Sequence, residues 1–361
     1  MNLICLGISH QTAPVEMREL LAFDHKEIPA ALHQLAKDHA LAEALILSTC
    51  NRVEIYAVSQ PPATGREKLE KFLRSWFSLA GDTPLPLYER TGQETAYHLF
   101  RVASGLESMV LGETEIFGQI KKAYSLAKDA QSTAKTLNLL FQQSFRVGKF
   151  LRNNTHIQRG STSVGSVAVD LAEKVFGDLK SCHVMLMGAG EMSRVVAQSL
   201  LSRGAKSVVV SNRSLDRAQD LAQEIGGEAV PFEEWENRAA DADIIITSTS
   251  APFPLIREEH AVRAMRKRRG RSLIIIDIAV PRDVDPAVGR VPDVYLYPID
   301  SLALIADEGR RKREAQIHRC EQLLAQYVAK HGIPALGVLG EKDEQSGTDM
   351  AGGEEPEVAE A

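Results

Sequence analysis

Residues 183–204 read HVMLMGAGEMSRVVAQSLLSRG. A short apolar run enters Gly188-Ala189-Gly190, and a helix-period segment follows until Gly204. This is the setting in which a glycine turn binds a dinucleotide. The first glycine lets the chain turn tightly, and the second lets a pyrophosphate approach the amides at the helix N-terminus. The third position of the usual pattern is Ser193, small enough for helix–strand packing. Gly188, Ala189, Gly190, Glu191, Met192 and Ser193 are therefore the expected cofactor turn. Working outward, SVVVSN (207–212) is a second strand. Ser214 stands where a helix cap belongs, and Leu215, Ala218, Leu221, Ala222 and Ile225 keep helical period before Gly226-Gly227. EAVPF, ADIIITST, SLIIIDIAVP and DVYLYPI supply further strands, and unbroken runs such as IIIT and LIIID suit parallel strands buried on both faces. The alternation predicts a doubly wound Rossmann unit.

The end of the second strand selects the cofactor. NAD sites carry Asp or Glu there to hold the ribose 2′-hydroxyl, whereas this chain has Ser211-Asn212-Arg213. No carboxylate would repel a 2′-phosphate, and Arg213 can pair with one. Asn212 and Arg213 are thus expected to favour NADPH.

Upstream the pattern differs. Leu3–Ile8, Ala44–Ser48 and Val53–Val58 read as strands, with helical patterning in VEMRELLAF, EIPAALHQLAKDH and GREKLEKFLRSWFSLAG. This β-α-β-β-α order predicts a small α+β unit of the split βαβ type. From Gln93 to about Phe176 nearly everything reads as helix. Leu126–Leu151 reads as one helix and Ser163–Phe176 as another, together a long helical spacer and packing surface. A last helix after Asp300 carries Ile317, Cys320, Leu323, Leu324, Tyr327 and Val328 on one stripe.

Composition narrows the class. The chain has 361 residues, enough for two or three domains, and 44% hydrophobic with 25% charged residues is ordinary for globular proteins. No window approaches the ~18 uncharged apolar residues of a membrane span. The first residues lack the basic region of a signal peptide. Four scattered cysteines exclude a disulfide framework and a paired-cysteine zinc site, so a reducing cytoplasm is expected and no metal. The net charge of -6 weighs against a nucleic-acid partner only until it is located. Residues 341–361 hold eight acids and one lysine, leaving 41 basic and 40 acidic residues before them. The acidic tail reads as disordered. The runs RAMRKRRGR (263–271) and RRKR (310–313) are candidate phosphate contacts, or else solvated helix faces.

Cys50 stands apart from the other cysteines. Cys5, Cys182 and Cys320 occupy apolar strand or stripe positions and are expected to act as small core hydrophobes. Cys50 lies between two strands in Thr49-Cys50-Asn51-Arg52, where Arg52 would favour a thiolate. By spacing alone an inert turn cysteine is the better reading. A reactive thiol beside a hydride donor has a chemical logic, however. It can take an acyl group from an activated donor, giving a thioester that a hydride reduces to an aldehyde.

Several segments together resemble one family, glutamyl-tRNA reductase. They are Gly7-Ile8-Ser9-His10 with Thr12-Ala13-Pro14; Ser48 to Glu54 (STCNRVE); Gly105 to Glu113 (GLESMVLGE) with Gly118-Gln119; GAGEM; SNRS; and Asp277 to Asp283 (DIAVPRD). They occur in the family's order over residues 1 to about 330. The resemblance implies that Cys50 attacks the ester of glutamyl-tRNA(Glu) and that NADPH reduces the thioester to glutamate-1-semialdehyde. That is the first step of the C5 route to tetrapyrroles. It assigns Thr49, Arg52, Ser108, Glu113 and Gln119 to the glutamyl group, with Asn51, Thr114 and Glu115 beside them, and gives His98 a role in proton transfer or substrate orientation. On residue type alone, Arg52 suits a carboxylate and Glu113 an ammonium.

The implied architecture is an α/β multidomain chain. A catalytic domain spans 1–150, a helical linker 151–180, the Rossmann NADP-binding domain 181–300, a short C-terminal helix 301–335 and the acidic tail 336–361. Glutamate-1-semialdehyde aminomutase is an implied partner. Two segments depart from the family. GKFLRNNTHI (148–157) lacks its basic, Thr-Glu-containing form, and the C-terminal helical region is much shorter than usual. A homodimer would then rest on a reduced interface through the Cys320–Val328 stripe, unless that stripe packs on its own subunit. The competing readings are an NADP dehydrogenase resembling shikimate dehydrogenases and a non-enzymatic tRNA- or NADP-binding regulator.

Overall fold

The computed structural model describes residues 2–38, 41–59, 65–81, 83–157, 164–268, 270–302, 314–338 and 340. The RRKR run and the acidic tail from 341 lie outside the described residues. The N-terminal unit contains β1 (Asn2–Ser9), α1 (Val15–Leu20), α2 (Ile28–Asp38), β2 (Leu41–Ser48), β3 (Arg52–Ser59), α3 (Gly65–Trp76) and β4 (Tyr88–Thr91). Its sheet is antiparallel with order β2-β3-β1-β4, the arrangement of a split βαβ unit. The strand β4 was not legible in the pattern: YERT is four residues long, follows Pro84 and Pro86, and shows no alternation. It is fixed by pairing, from Ile4 opposite Thr91 to Gly7 opposite Tyr88.

The helices α4 (Gln93–Ala103), α5 (Glu115–Asp129) and α6 (Lys135–Asn154) do more than bridge. Leu99, Ile120, Leu137 and Phe141 share one apolar core with Leu6 and Ile55 of the sheet. Each such fully buried side chain contributes roughly 1.5–3 kcal/mol. Residues 126–151 are not one helix, as their pattern predicts. The break between α5 and α6 is made by a distant residue. Glu43 of β2 accepts hydrogen bonds from the backbone N–H groups of Ala134 (2.8 Å), Thr136 (3.0 Å) and Leu137 (2.8 Å). A carboxylate there satisfies the orphan donors of the first turn and the helix dipole, worth up to about 2 kcal/mol when partly buried.

The second unit begins with α7 (Val164–Phe176), which packs on α8 (Glu191–Ser202). It continues through β5 (His183–Met187), β6 (Ser207–Asn212), α9 (Leu215–Ile225), β7 (Glu228–Pro231), α10 (Trp235–Ala239), β8 (Ile244–Thr247), α11 (Glu258–Lys267), β9 (Leu273–Asp277) and β10 (Val294–Pro298). The sheet is wholly parallel, in the order β10-β9-β8-β5-β6-β7. Strand order reverses between β5 and β8, which puts the ligand crevice at their carbonyl ends. Ser214 sits at the N-cap of α9 as expected, but its hydroxyl makes no capping bond.

The last described helix, α12 (Glu314–His331), returns to the N-terminal unit and packs on α6. Leu324 and Val328 are buried in the core of that unit, Cys320 is buried beside Leu111 and Ile157, and Gln143 Nε2 donates to Gly332 O at 2.8 Å. The stripe expected to serve a reduced dimer interface is therefore covered by its own subunit. Among the described residues no helix is long and apolar enough to cross a membrane.

Candidate active site

Cys50 lies in the tight connection from β2 to β3. Thr49 Oγ1 accepts the N–H groups of Asn51 and Arg52, each at 3.2 Å, and Thr49 N–H donates to Arg52 O at 2.9 Å. Neighbours pin the turn from outside: His10 N–H donates to Asn51 O at 2.9 Å, and Arg18 of α1 donates to Cys50 O. Cys50 is the one cysteine that is not fully buried; Cys5, Cys182 and Cys320 are buried, as their positions predict. Its thiol is pushed up to about 12. Burial is the main cause, Glu113 and Glu115 add to it, and Arg18 opposes them. The two carboxyls are raised as well. Burial moves Glu113 up to about 7 against the pull of Ser108 and Arg52, and burial with Glu113 and Glu191 moves Glu115 up to about 8. Both Glu115 carboxylate oxygens are buried without a hydrogen-bond partner among the described residues. The loop carrying Ser108 and Glu113 is fixed by Gly112 at φ +77, where a Cβ would sit 2.3 Å from Ile157 O.

A second cluster lies along β3, where Arg52, Glu54 and Tyr56 share one face by strand alternation. The Glu54 carboxylate, fully buried, accepts from Arg52 Nη1 (2.7 Å), Tyr56 OH (2.6 Å), His98 Nε2 (2.8 Å) and Tyr88 OH. Burial would raise its carboxyl, but Arg52 and His98 outweigh this and hold it well below the usual carboxylate range. Ionised Glu54 can only accept, so His98 carries its proton on Nε2. Cys5, Glu54 and His98 bring three possible metal-ligand atoms within 4.8 Å of one another. Glu54 has already committed both oxygens to protein donors, one of them a guanidinium, and the cluster is an ion-pair core. Arg52 and His98 also line a cavity of about 440 Å³ with Ser9, Thr12, Tyr97 and Glu107. Cys50 is not among the lining residues.

The glycine turn sits at the switch point. Gly188 has φ +112, and a Cβ there would lie 2.4 Å from Ser248 O, so only glycine fits. Gly190 caps α8 in extended conformation, and nothing lies within 4 Å of its would-be Cβ. Ser193 and Ser211 each bury a hydroxyl without a partner among the described residues. Open space, free helix N–H groups and orphaned hydroxyls fit a phosphate-bearing ligand. Glu191 is exposed in the first turn of α8, Asn212 donates to Ser214 O, and Arg213 is exposed with no ion pair among the described residues.

A family model for the N-terminal domain of glutamyl-tRNA reductase matches residues 6–155, and one for shikimate/quinate 5-dehydrogenase matches 170–305. The chain is 43% identical over 335 residues to a glutamyl-tRNA reductase of Akkermansia muciniphila, covering 92% of this chain and 97% of the relative. This chain belongs to the glutamyl-tRNA reductase family. Another family member, from Trichlorobacter lovleyi, is 43% identical over 91% of this chain and 76% of its own length. A solved glutamyl-tRNA reductase from Methanopyrus kandleri is 38% identical, covering 90% of this chain and 81% of that one, with a TM-score of 0.45. Family membership and the dehydrogenase-type unit make the chain an oxidoreductase that uses a nicotinamide cofactor.

Within this glutamyl-tRNA reductase-family chain, some expected residues converge and others do not. Cys50, Glu113 and Glu115 act on one another electrostatically. Thr114 is exposed ahead of α5, Gln119 is half-buried on it, and Asn51 is buried with Oδ1 unpaired among the described residues. Thr49 spends its hydroxyl on its own turn. The expectation that Arg52 favours a Cys50 thiolate fails. Its guanidinium is buried against Glu54 and Glu107 O, and the cation acting on the thiol is Arg18. Arg18, Glu54, Tyr56 and Tyr88 were missed. The signal for Arg18 is its place three residues after Val15, on the buried face of a helix. The basic run at 263–271 is largely spent inside its own unit. Arg263 pairs with Glu236 at 2.8 Å, Arg271 pairs with Asp243 at 3.2 Å, and Arg268 is buried on the carbonyls of Ala240 and Ala242. Arg269 lies outside the described residues.

Proposed function

We propose that this chain reduces glutamyl-tRNA(Glu) to glutamate-1-semialdehyde with NADPH through a thioester on Cys50, the first step of C5-route tetrapyrrole synthesis. One observation carries the reading. Cys50, Ala189 and Met192 pack against one apolar cluster shared by the two units, and Glu191 beside the dinucleotide turn acts on Glu115, which acts on Cys50. The Cys50 sulfur, as thiolate, attacks the glutamyl ester carbonyl. The C–S bond forms, the ester C–O bond breaks, and tRNA leaves with its hydroxyl reprotonated. The 188–193 turn and Arg213 would hold NADPH, which would supply the hydride that reduces the thioester carbonyl carbon. The C–S bond then breaks, the aldehyde leaves and the thiolate returns.

Glu113 and Glu115 suit the substrate ammonium. A cation arriving beside two raised, buried carboxyls favours their ionised forms, which lets the amine be recognised as it enters. Arg52 and His98 line the cavity and suit the carboxylate end. With Nε2 committed to Glu54, His98 has Nδ1 left to accept a proton. Ser108 and Gln119 complete the polar set. Four unpaired cysteines support a reducing compartment, the cytoplasm, and the aldehyde product would pass to glutamate-1-semialdehyde aminomutase.

The test is mass spectrometry of the chain after incubation with glutamyl-tRNA and no NADPH. A glutamyl adduct on the Cys50 peptide is expected. Cys50→Ser abolishes both adduct and reduction while NADPH affinity stays within a few-fold. Substantial turnover by Cys50→Ser, or turnover of a free hydroxy acid and none of glutamyl-tRNA, overturns the proposal.

A further inference from the structure

Arg18 is a buried cation that no catalytic assignment uses, and it touches both units at once. Its side chain is 1% exposed. One end of the guanidinium donates to the Cys50 carbonyl oxygen, and the other pairs with Asp300 Oδ1. Asp300 follows β10 in the nucleotide-binding unit. Its second oxygen accepts the N–H of Val15, the first residue of α1, at 3.0 Å. One carboxylate thus caps the helix that carries Arg18 and neutralises Arg18 itself. A second link grips the same helix. Arg282, also from the nucleotide-binding unit, donates from Nε and Nη2 to Glu19 (both 2.9 Å) and from Nη1 to Glu16 at 3.0 Å.

We propose that Arg18 is a positioning residue for Cys50, held in place by Asp300, so that the thiol is competent only while the nucleotide-binding unit is docked on α1. This deepens the thioester reading and rests on Cys50 being the nucleophile. The charged groups acting on Cys50 are Arg18 from α1, Glu113 from the loop before α5 and Glu115 from α5; Glu191 of α8 acts on Glu115. Arg18 alone among them favours a thiolate. A guanidinium stays charged, so its influence depends on where it is held. A buried arginine needs a counter-charge, and Asp300 supplies it from the other unit. Docking then brings the cofactor turn and the one cation that opposes burial and the two glutamates at Cys50 together in one event.

The test reads Cys50 directly, without tRNA. The full chain is treated with iodoacetamide between pH 7 and 9, and alkylation is followed on the Cys50 peptide by mass spectrometry. Removing a nearby cation raises a thiol by about one unit, so Arg18→Met should slow alkylation about tenfold at each pH, and Asp300→Asn should slow it too because the unanchored Arg18 leaves the Cys50 turn. Arg18→Lys should regain part of the rate. A merely structural role gives the opposite sign, because a loosened turn exposes the sulfur and speeds alkylation. An unchanged or faster rate in Asp300→Asn, whose side chain is 36% exposed and tolerates an isosteric change, overturns the proposal. Failure of the thioester reading looks different. The wild-type chain would alkylate normally, the variants would slow as expected, and glutamyl-tRNA would still not be reduced.

Discussion

Replacing Glu54 with glutamine removes one charge from the centre of the N-terminal unit and leaves its shape nearly unchanged. Four side chains donate to that carboxylate, and Arg52 is buried with it at 2% and 0% side-chain exposure. The amide can no longer balance the guanidinium, and its NH₂ group faces donors. Breaking a buried pair from one side costs about 3–5 kcal/mol. For a unit of this size that is a fall of roughly 10 °C in Tm. The two tryptophans allow a clean assay, since Trp76 packs on the N-terminal core and Trp235 lies in the nucleotide-binding unit. In a Trp235→Phe background, urea unfolding followed by Trp76 fluorescence reports the N-terminal unit alone. The decisive comparison is the double variant Arg52→Met with Glu54→Leu, which removes both charges. It should be more stable than Glu54→Gln, because no uncompensated ion remains. A single-variant loss under about 1 kcal/mol, or a double variant that loses the sum of the two singles, would refute this account of the cluster.

Two further outcomes follow from the sites. Arg213→Ser should weaken NADPH binding about ten- to a hundredfold and leave NADH binding nearly unchanged, because a charge-assisted contact to the 2′-phosphate is worth roughly 1.5–3 kcal/mol; fluorescence titration with both nucleotides measures it. Glu115→Gln should speed Cys50 alkylation above about pH 8 and change little near pH 6. Glu115 is raised to about 8, so it carries its proton at the lower pH and opposes the thiolate only once ionised. An equal effect at both pH values would mean that its charge is not what raises Cys50.

The nucleotide-binding unit was almost wholly legible, because parallel strands buried on both faces announce themselves as IIIT and LIIID, and Gly188-Ala189-Gly190 stands where a strand meets a helix. The N-terminal sheet was legible in three strands. Its fourth is held by main-chain pairing that no side-chain pattern encodes. The break before α6 was invisible for a related reason: Glu43 lies 91 residues before the amide it caps. The same limit governs the candidate site. Cys50 and Arg52 are two apart in sequence, which suggested a charge pair, but strand geometry turns Arg52 onto the Glu54 face. The cation that reaches the Cys50 turn comes from a helix 32 residues earlier and is anchored 282 residues later. Contacts of that span are set by the packing of whole units.

The return of α12 to the core beside α6 also orders events on the ribosome. The seats for Leu324 and Val328 exist once residue 154 has been made, but the residues that fill them emerge only after the whole nucleotide-binding unit. At ordinary synthesis rates this interval is about 10 to 35 s. By the end of it the nucleotide-binding unit has its complete sheet and can close, while the N-terminal unit has waited with an apolar face uncovered. The first part of the chain to be made is thus among the last to be finished.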